Sequence, residues 1–429
     1  MRIIVVGGGI IGATTAHACL RHGHDVTLLE AGHELASVTS FANGGQIAVS
    51  ESAPWSQPGM PMKMLMRSWR GDAPFRLRLR ADPAQWRWLL AFLSNSRAGP
   101  HRAGKLRNLA LARYSLACLH QTRAELGNDF SYDDRQKGIL QLIPAAAQTH
   151  AMQRDVDEMA ARGGSVSWLS PDETSDVEPA LASAVARGLL AGAVWGQTDE
   201  SGDARLFVAR LVAQLTERYS DARFCVRCDT PITGLVKGDC DIRGVMSGEK
   251  YIEADRVILA AGLQTRDLLA PLGVRVPMYG VKGYSITIPL DDDISAPETS
   301  LTDLKNRLVM SRLGQRLRVA GFAEIGMRPD VEPVRVATMM TRIGELFPDL
   351  PLDGDLSPWV GFRPMTPDGA PLIGPVAGTK GLFMNTGHGP LGWTFSHGAA
   401  QIIADLVSGK TPSTEFQGFA PDRAMMATV

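Results

Sequence analysis

A strand, a glycine turn, a helix and a second strand open the chain, and this order constrains the fold more than any other feature of the sequence. Residues 2–6 contain a β-branched apolar run typical of a buried parallel strand, residues 10–21 have helical character, and residues 25–30 read as another strand. Two strands joined by one helix form a complete β-α-β unit. We therefore expect a parallel sheet with helices packed on it.

The turn after the first strand, GGGIIG at residues 7–12, has the spacing G-x-G-x-x-G. Its three glycines permit a tight turn, a close approach of backbone to a pyrophosphate and close packing of helix on strand. Glu30 follows Gly12 by 18 residues, where a carboxylate can bind ribose hydroxyls and disfavours a 2′-phosphate. The motif predicts an NAD or FAD site, with an empty glycine turn as the alternative. The predicted contacts are Ile4, Val5, Val6, Gly7, Gly8, Gly9, Ile10, Ile11, Gly12 and Glu30.

A second G-x-G-x-x-G, GHGPLG at residues 387–392, lies between a predicted strand at 381–385 and a predicted helix at 395–407. Only 20 residues follow Gly409, so no second strand completes another dinucleotide site. A lone helix N-terminus suits one localised negative charge, such as the N1–C2=O edge of a reduced flavin. This favours FAD over NAD, with a merely close-packed turn as the alternative. The predicted contacts are Gly387, Gly389, Leu391, Gly392, Trp393 and Thr394.

Composition excludes several classes of protein. The 429 residues are 45% hydrophobic and 21% charged with a net charge of −1, which excludes a disordered or fibrous chain and gives no global attraction to nucleic acid. No secretion signal or long apolar span is apparent, so we expect a cytoplasmic protein. Five cysteines, an odd number, indicate reduced thiols. The pair Cys225 and Cys228 lacks a fourth ligand nearby even with Cys240, so no metal site is predicted.

Six segments carry a family resemblance over nearly the whole chain: the opening VVGGGIIG, TSFANGGQ at 39–46, APW at 53–55, KGYS at 282–285, GFRPMTPDG at 361–369 and NTGHGPLGWT at 385–394. In combination they resemble the bacterial D-amino acid dehydrogenase small subunit, within the D-amino acid oxidase and glycine/sarcosine oxidase group. The resemblance implies FAD, oxidative deamination of D-amino acids to 2-oxo acids and ammonia, and electron delivery to a respiratory, quinone-type acceptor. Some sarcosine-oxidising relatives attach flavin to a cysteine near the arginine segment. No cysteine follows Cys240 here, so we expect non-covalent FAD.

The resemblance also implies roles for individual residues. Arg363 matches the arginine that grips the substrate carboxylate, a task suited to a two-pronged guanidinium, whereas a structural ion pair is its bland alternative. Tyr284 and Tyr279 are candidates for a phenol near that carboxylate, or for simple packing. His388 either assists deprotonation of the amine, because histidine titrates near neutrality, or only bonds backbone. Further cofactor contacts are expected at Ser40, Asn43, Gly44, Gly45, Gln46, Ile232, Ala261 and Gly262.

The expected reaction passes the Cα hydrogen as a hydride to flavin N5 from the neutral amine, with no obligatory side-chain base. D-Proline or D-hydroxyproline dehydrogenation and glycine or N-methyl amino acid oxidation are close alternatives. A FAD-binding protein without turnover is a more distant one. The preference for D-amino acids is implied by the resemblance alone. The sequence is compatible with either an oxidase or a dehydrogenase.

Residues 61–123 form a basic stretch, with 13 Lys and Arg against Asp72 and Asp82. One interpretation of this positive charge is a set of ordinary helices whose arginines face solvent. A patch that rests on an anionic membrane, near a quinone, is the sharper interpretation.

We expect two discontinuous domains in an α/β fold. Residues 1–85, 199–275 and 356–429 are predicted to form a Rossmann-like FAD domain with a parallel sheet and a β-meander. Residues 86–198 and 276–355 are predicted to form an α+β substrate domain on a mixed antiparallel sheet.

Overall fold

A computed structural model describes residues 1–67, 73–127, 129–145, 149–161, 164–291, 296–354 and 356–425. In chain order the strands are β1 Arg2–Val6, β2 Asp25–Leu29, β3 Gln46–Ile47, β4 Phe75–Leu77, β5 Ile139–Pro144, β6 Val166–Leu169, β7 Leu190–Gly196, β8 Glu200–Ser201, β9 Phe224–Arg227, β10 Gly234–Lys237, β11 Ile242–Ser247, β12 Lys250–Glu253, β13 Arg256–Leu259, β14 Tyr279–Pro289, β15 Ser300–Asp303, β16 Leu308–Arg312, β17 Arg316–Ile325, β18 Trp359–Met365, β19 Leu372–Pro375 and β20 Leu382–Thr386. The helices are α1 Ile10–Arg21, α2 Met60–Arg67, α3 Pro83–Asn95, α4 Ala98–Leu126, α5 Thr149–Ala161, α6 Pro171–Val177, α7 Ala182–Ala186, α8 Ala204–Arg218, α9 Gln264–Leu269, α10 Pro333–Leu346, α11 Gly392–Val407 and α12 Asp422–Met425.

The first sheet has six strands in the order β19-β20-β13-β1-β2-β9, and all its neighbours are parallel except β19 and β20. The carboxyl ends of β1, β13 and β20 therefore meet at one edge, which is where ligands bind in open α/β sheets. Only β13 separates β1 from β20, and neighbouring strands lie about 4.8 Å apart. The glycine turns that follow β1 and β20 thus begin about 10 Å from each other.

Helices α1 and α11 follow these two turns and are bonded to each other. The Thr14 hydroxyl of α1 donates to the Ser396 carbonyl of α11 at 3.3 Å, and the Asn385 amide near the end of β20 donates to Thr15 Oγ1 of α1 at 3.0 Å. Helix α8 packs with them in the same apolar core. Asp203 caps the start of this helix, because its side chain accepts from the backbone N–H of Arg205 at 2.9 Å. A short acidic side chain at this position is typical of a helix start.

The segment between α8 and β13 forms the predicted meander. Strands β10, β11 and β12 pair in antiparallel order and pack over the first sheet through a separate apolar cluster. The predicted fold class, a parallel FAD-binding sheet with a meander and a mixed second sheet, is confirmed.

The second sheet is mixed and has the order β18-β14-β17-β16-β15-β5-β7-β6, with β4 added beside β17. Its outer face carries Ile286, Ile288 and Tyr284, which pack with α10 in one buried cluster. Its inner face meets the loop between β2 and β3, since Gly44 lies against Val309 and Ala320. The space between this face and the two glycine turns is the candidate location of a functional site.

The sheets divide the chain differently from the predicted boundaries. Residues 359–365 and 75–77 pair within the second sheet as β18 and β4, although both were assigned to the FAD domain. Helix α4 is predicted to belong to the substrate domain. It packs with α11 and contributes Leu111, Ala112 and Leu119 to the apolar core beside the first sheet. The physical reason is that strand pairing and helix docking between distant segments leave no local pattern.

Candidate active site

The first glycine turn is built for close approach. A carbon added at Gly12 would lie 1.7 Å from the Gly7 carbonyl oxygen, so only glycine allows α1 to start so near the strand. Gly9 caps α1 without a side-chain hydrogen bond, and the first turn holds no acidic residue. Its N-terminal N–H groups and dipole therefore suit an anion such as a pyrophosphate.

Glu30 shapes the same turn. Its carboxylate accepts from the backbone N–H of Gly8 at 2.7 Å and of Gly32 at 2.9 Å. The Ser40 hydroxyl accepts from the Ile10 N–H at 3.1 Å. The structure thus brings Glu30 and Ser40 to the turn, as the sequence predicts.

The second glycine turn also leads into a helix without a side-chain cap or an acidic first turn. Helix α11 begins at Gly392, after a 3-10 turn at Gly389–Leu391, rather than at residue 395 as predicted. Thr394 in its first turn accepts from the Ala48 N–H at 3.0 Å, and Trp393 donates to the Gly202 carbonyl at 3.0 Å. These bonds tie the helix start to the segments that follow β3 and β8.

The loop at residues 43–46 is fastened to the second sheet by side chains. Ser311 donates to the Gly44 carbonyl at 2.7 Å, and Arg318 donates to the Asn43 carbonyl at 3.2 Å. The Gln46 amide donates to Ser300 Oγ at 3.1 Å. Asn43 Oδ1 in turn accepts from the Gly45 N–H at 3.0 Å. The loop, where the resemblance implies cofactor contacts, is therefore fixed between the two sheets.

Arg363 occupies the inner face of β18. Its Nη1 donates to the Phe322 carbonyl at 2.9 Å, and its guanidinium carbon lies 5.7 Å from the centre of the Trp55 ring. The side chain keeps some accessible surface although protein surrounds it, so it faces an interior cavity. Burial lowers its pKa to about 10, which still leaves it charged at neutral pH. Among the described residues no carboxylate pairs with it, so the cavity presents an uncompensated positive charge.

Comparison with known proteins places this arrangement in a family. The profile described as "DAO: FAD dependent oxidoreductase" matches residues 2–406. The chain belongs to the DAO family of FAD-dependent oxidoreductases. The D-amino acid dehydrogenase of Rhizobium johnstonii is 39% identical over 99% of this chain and 100% of its own, and that of Paramagnetospirillum magneticum is 38% identical over 99% of both. The family resemblance noted in the sequence is confirmed.

Solved structures share the fold at low identity. Glycine oxidase from Geobacillus kaustophilus superposes with a TM-score of 0.76 at 22% identity, covering 98% of each chain. L-Proline dehydrogenase from P. horikoshii gives a TM-score of 0.73 at 18% identity, covering 99% of this chain and 98% of its own.

The residues of this DAO-family chain fit FAD. Both helix N-termini at the shared sheet edge lack caps, and the space at Gly12 admits no side chain. Thr230 donates its backbone N–H to the Glu30 carbonyl at 2.8 Å, which brings Ile232 to the ribose end of the site. Thr386 donates to the Gly262 carbonyl at 3.1 Å, so the turn at Ala261 and Gly262 lies between the glycine turns. The residues predicted to hold FAD therefore gather along one edge.

His388 differs from the expectation. Its ring is buried at 3% exposure, and its Nε2 has no hydrogen-bond partner among the described residues. Burial lowers its pKa to about 3, so the prediction that it titrates near neutrality is wrong in this environment. A neutral imidazole at this turn can accept or donate one hydrogen bond but carries no charge.

Tyr284 is not brought to Arg363. Its hydroxyl donates to Glu324 Oε2 at 3.3 Å, and Lys282 on the same strand lies 3.7 Å from that carboxylate and 4.7 Å from the ring centre. Between them Gly283 faces the Arg363 guanidinium. Since successive side chains alternate across a sheet, Tyr284 points to the opposite face, into a buried ion cluster. Its predicted contact with the substrate carboxylate is corrected accordingly.

Tyr279 also packs rather than binds. Its ring lies 6.3 Å from the Trp88 ring and against the cluster of Met64, Phe92 and Val281. No group of three or more potential metal ligands occurs in the part of the chain that the structure describes.

Sequence reasoning missed two polar residues of the inner face. Arg318 is 5% exposed, bonds Thr287 at 2.8 Å and reaches the Asn43 carbonyl in the loop at residues 43–46, and burial lowers its pKa to about 10. Ser285 is 1% exposed, and its hydroxyl has no partner among the described residues. An arginine within the apolar strand RLRVAG, two residues after Arg316 at the strand start, was the available signal for Arg318. For Ser285 the sequence holds none beyond the resemblance.

Gly283 offers a test of the Arg363 position. A carbon added there would lie 2.3 Å from Arg363 Nη1, and the tip of a long side chain can move away at little cost to the fold. We expect Gly283→Ala to leave the melting temperature nearly unchanged and to raise KM for an amino acid substrate by about tenfold or more, because a small displacement of a positioning group costs affinity and rate.

The matched control is Gly234→Ala on β10, where the nearest atom would lie 4.0 Å away. Steady-state kinetics on both variants checks the prediction, and equal KM values for Gly283→Ala and wild type would contradict it.

Proposed function

We propose that this chain catalyses FAD-dependent oxidative deamination of D-amino acids to 2-oxo acids and ammonia. One observation supports it most: the Arg363 guanidinium is enclosed, charged and without a carboxylate partner among the described residues. An arginine in this state stabilises a bound carboxylate through paired hydrogen bonds. The relatives named D-amino acid dehydrogenase support the amino acid and its handedness.

The protein's own residues orient the substrate. Arg363 would hold the substrate carboxylate above Gly283, and the Trp55 ring would limit its movement. Bound FAD, which the two glycine turns would hold, would supply the two-electron oxidant for the substrate Cα–H bond. The fastened loop at residues 43–46 would keep the flavin-facing backbone in place, and the neutral His388 leaves the turn without a second charge. Positioning therefore supplies most of the acceleration.

Anaerobic mixing of the purified yellow protein with single amines tests this proposal. Loss of the flavin absorbance with D-alanine, but not with L-alanine, supports it. Bleaching only by D-proline, glycine or sarcosine would favour the close alternatives, and bleaching by no amine would favour a binding protein without turnover. Release of all the flavin on acid precipitation would agree with non-covalent FAD.

The electron acceptor is proposed to be a membrane quinone. None of the described helices has the length and apolar composition needed to cross a membrane. Helix α3, however, buries Trp88 and Phe92 while exposing Trp86, Leu90 and Leu93 along its opposite face at 46%, 65% and 55%. A surface with this spacing suits contact with a lipid interface, with α3 lying flat on it. We infer peripheral attachment to the cytoplasmic membrane face.

Exposed arginines around α3 support contact with an anionic membrane surface. Arg87 and Arg97 lie on or beside this helix and face solvent. Not every arginine of the basic stretch is free: Arg76 pairs with Glu332 at 2.8 Å, and Arg123 pairs with Glu200. Residues 68–72 of that stretch lie outside the described residues.

We expect the double change Leu90→Ser with Leu93→Ser to reduce binding to vesicles of anionic phospholipid by at least about tenfold, because each exposed leucine that enters lipid contributes about 1.5 kcal/mol or more. Binding of the wild type should also fall with added salt. Cosedimentation measures both effects. Val334→Ser is the matched control, because Val334 lies on α10 and is exposed to a similar extent, at 61%. Binding that responds neither to salt nor to the double change would contradict attachment through α3.

A further inference from the structure

The side chain of Glu51 is an unexplained acid in the interior of the protein. Its Oε1 is fully shielded and has no hydrogen-bond partner among the described residues. Thr302 hydrogen-bonds the carboxyl group, and the residue keeps some accessible surface although protein surrounds it. Like Arg363, it therefore faces an interior cavity rather than bulk solvent.

The chain on either side of Glu51 fixes its place. Gln46 is bonded to Ser300 and to Thr302 Oγ1 on β15, and Trp55 lies beside Arg363. The segment from 46 to 55 thus runs along the inner face of the second sheet, from β15 towards the carboxylate-binding arginine. Glu51 lies within that segment, over the β15 end.

The register of the sheet gives the separation. Thr302 is paired with Val309 on β16, and β16 is paired with β17, whose Phe322 carbonyl accepts from Arg363. Two strand spacings, about 10 Å, therefore separate the strand beneath Glu51 from the strand beneath the guanidinium. That distance matches an extended amino acid whose carboxylate lies at one end and whose side-chain terminus lies at the other.

The surroundings of Glu51 favour a cationic ligand. Burial and the nearby Asp199 raise its pKa to about 7, opposed by Thr302 and Arg307. Asp199 is itself satisfied by the Val49 N–H at 2.8 Å and the Ser50 N–H at 3.1 Å, so it does not serve as a partner. Arg307 is exposed at the surface. A positively charged ligand group would supply the missing hydrogen bond and counter-charge.

We propose that Glu51 is a specificity-determining residue that binds a positively charged group at the end of the substrate side chain, so that basic D-amino acids are favoured. This inference rests on the proposed function, because Arg363 must hold the carboxylate. Glu51 would also disfavour substrates with acidic side chains, because the two carboxylates would repel each other and the substrate's charge would be buried without a partner.

The holoenzyme tests the proposal with two substrates of similar length, D-lysine and D-norleucine, and a soluble quinone analogue as acceptor. The wild type is expected to show a kcat/KM for D-lysine at least about tenfold above that for D-norleucine, as a charge-assisted hydrogen bond gives. Glu51→Gln should remove this preference and change the D-norleucine value by less than about twofold. Glu51→Asp, which keeps the charge, should retain part of it.

Glu345→Gln is the matched control, since Glu345 is exposed and pairs only loosely with Lys305 at 3.4 Å. Flavin content and melting temperature confirm that each variant is folded. Equal losses with both substrates in Glu51→Gln would overturn the proposal in favour of a contact with the α-amino group, and no loss with either would remove Glu51 from the site. A wild type that oxidises D-norleucine without preferring D-lysine refutes only this inference. One that oxidises no D-amino acid refutes the proposed function.

Discussion

Replacing Arg363 by alanine is expected to lower kcat/KM for D-amino acids by about 10²- to 10³-fold while FAD stays bound. The guanidinium is the one cation that the structure places, uncompensated, over Gly283 among the described residues. Removing a charged partner from an enclosed carboxylate costs about 2–5 kcal/mol, because the remaining charge is buried without compensation. The residues proposed to hold FAD lie at the glycine turns and at Glu30, away from Arg363, so cofactor content should not change.

Steady-state kinetics and the flavin absorbance of the purified variant check this result. Arg243→Ala is the matched control, since Arg243 is exposed and its partner Asp241 lies 3.3 Å away at the surface. Arg363→Lys should restore only a small part of the activity, because an ammonium group cannot bind both carboxylate oxygens in the same geometry. Activity retained within a few-fold in Arg363→Ala would show that another group binds the carboxylate.

The second large effect concerns Gly12. An alanine there would bring its Cβ to 1.7 Å from a backbone oxygen, and neither the turn nor α1 can move without disturbing the sheet edge. We expect Gly12→Ala to lose FAD and to lower the free energy of unfolding by about 3 kcal/mol or more, as severe overpacking does. The purified protein should be colourless.

Gly344→Ala provides the contrast. Gly344 lies in α10, where the nearest atom to the added carbon is Leu352 Cδ1 at an ordinary contact distance of 3.4 Å, so the substitution should keep FAD and stabilise the helix by up to about 1 kcal/mol. Flavin content and thermal unfolding of the pair separate steric exclusion from a general sensitivity to alanine. Full FAD occupancy in Gly12→Ala would contradict the geometry of the turn.

Local patterns made much of the fold predictable. The opening β-α-β unit, the Asp203 cap and the closing strand and helix each depend on residues within a few turns of one another. Pairings between distant segments were not predictable in this way. Strand β18 joins β14 through Arg363 and Val281, and nothing in the apolar pattern of either strand selects that partner.

The candidate site residues also differ in whether local sequence could predict them. The glycine turns and Glu30 have a spacing that predicts their role, and Arg363 was identified through its flanking residues. Tyr284 was misplaced because the face on which a strand residue lies depends on register, and β14 carries an irregularity between Lys282 and Tyr284. His388 was misjudged because burial, which sets its charge, is a property of the assembled core.

The fastening of residues 43–46 to Ser311 and Arg318 has an evolutionary consequence. Under the proposed function, the strands that line the substrate also hold the loop expected to face the flavin, so a mutation that changes substrate choice would also shift that loop. Grafting the second sheet of a relative onto this nucleotide domain would succeed only if that short loop travelled with it.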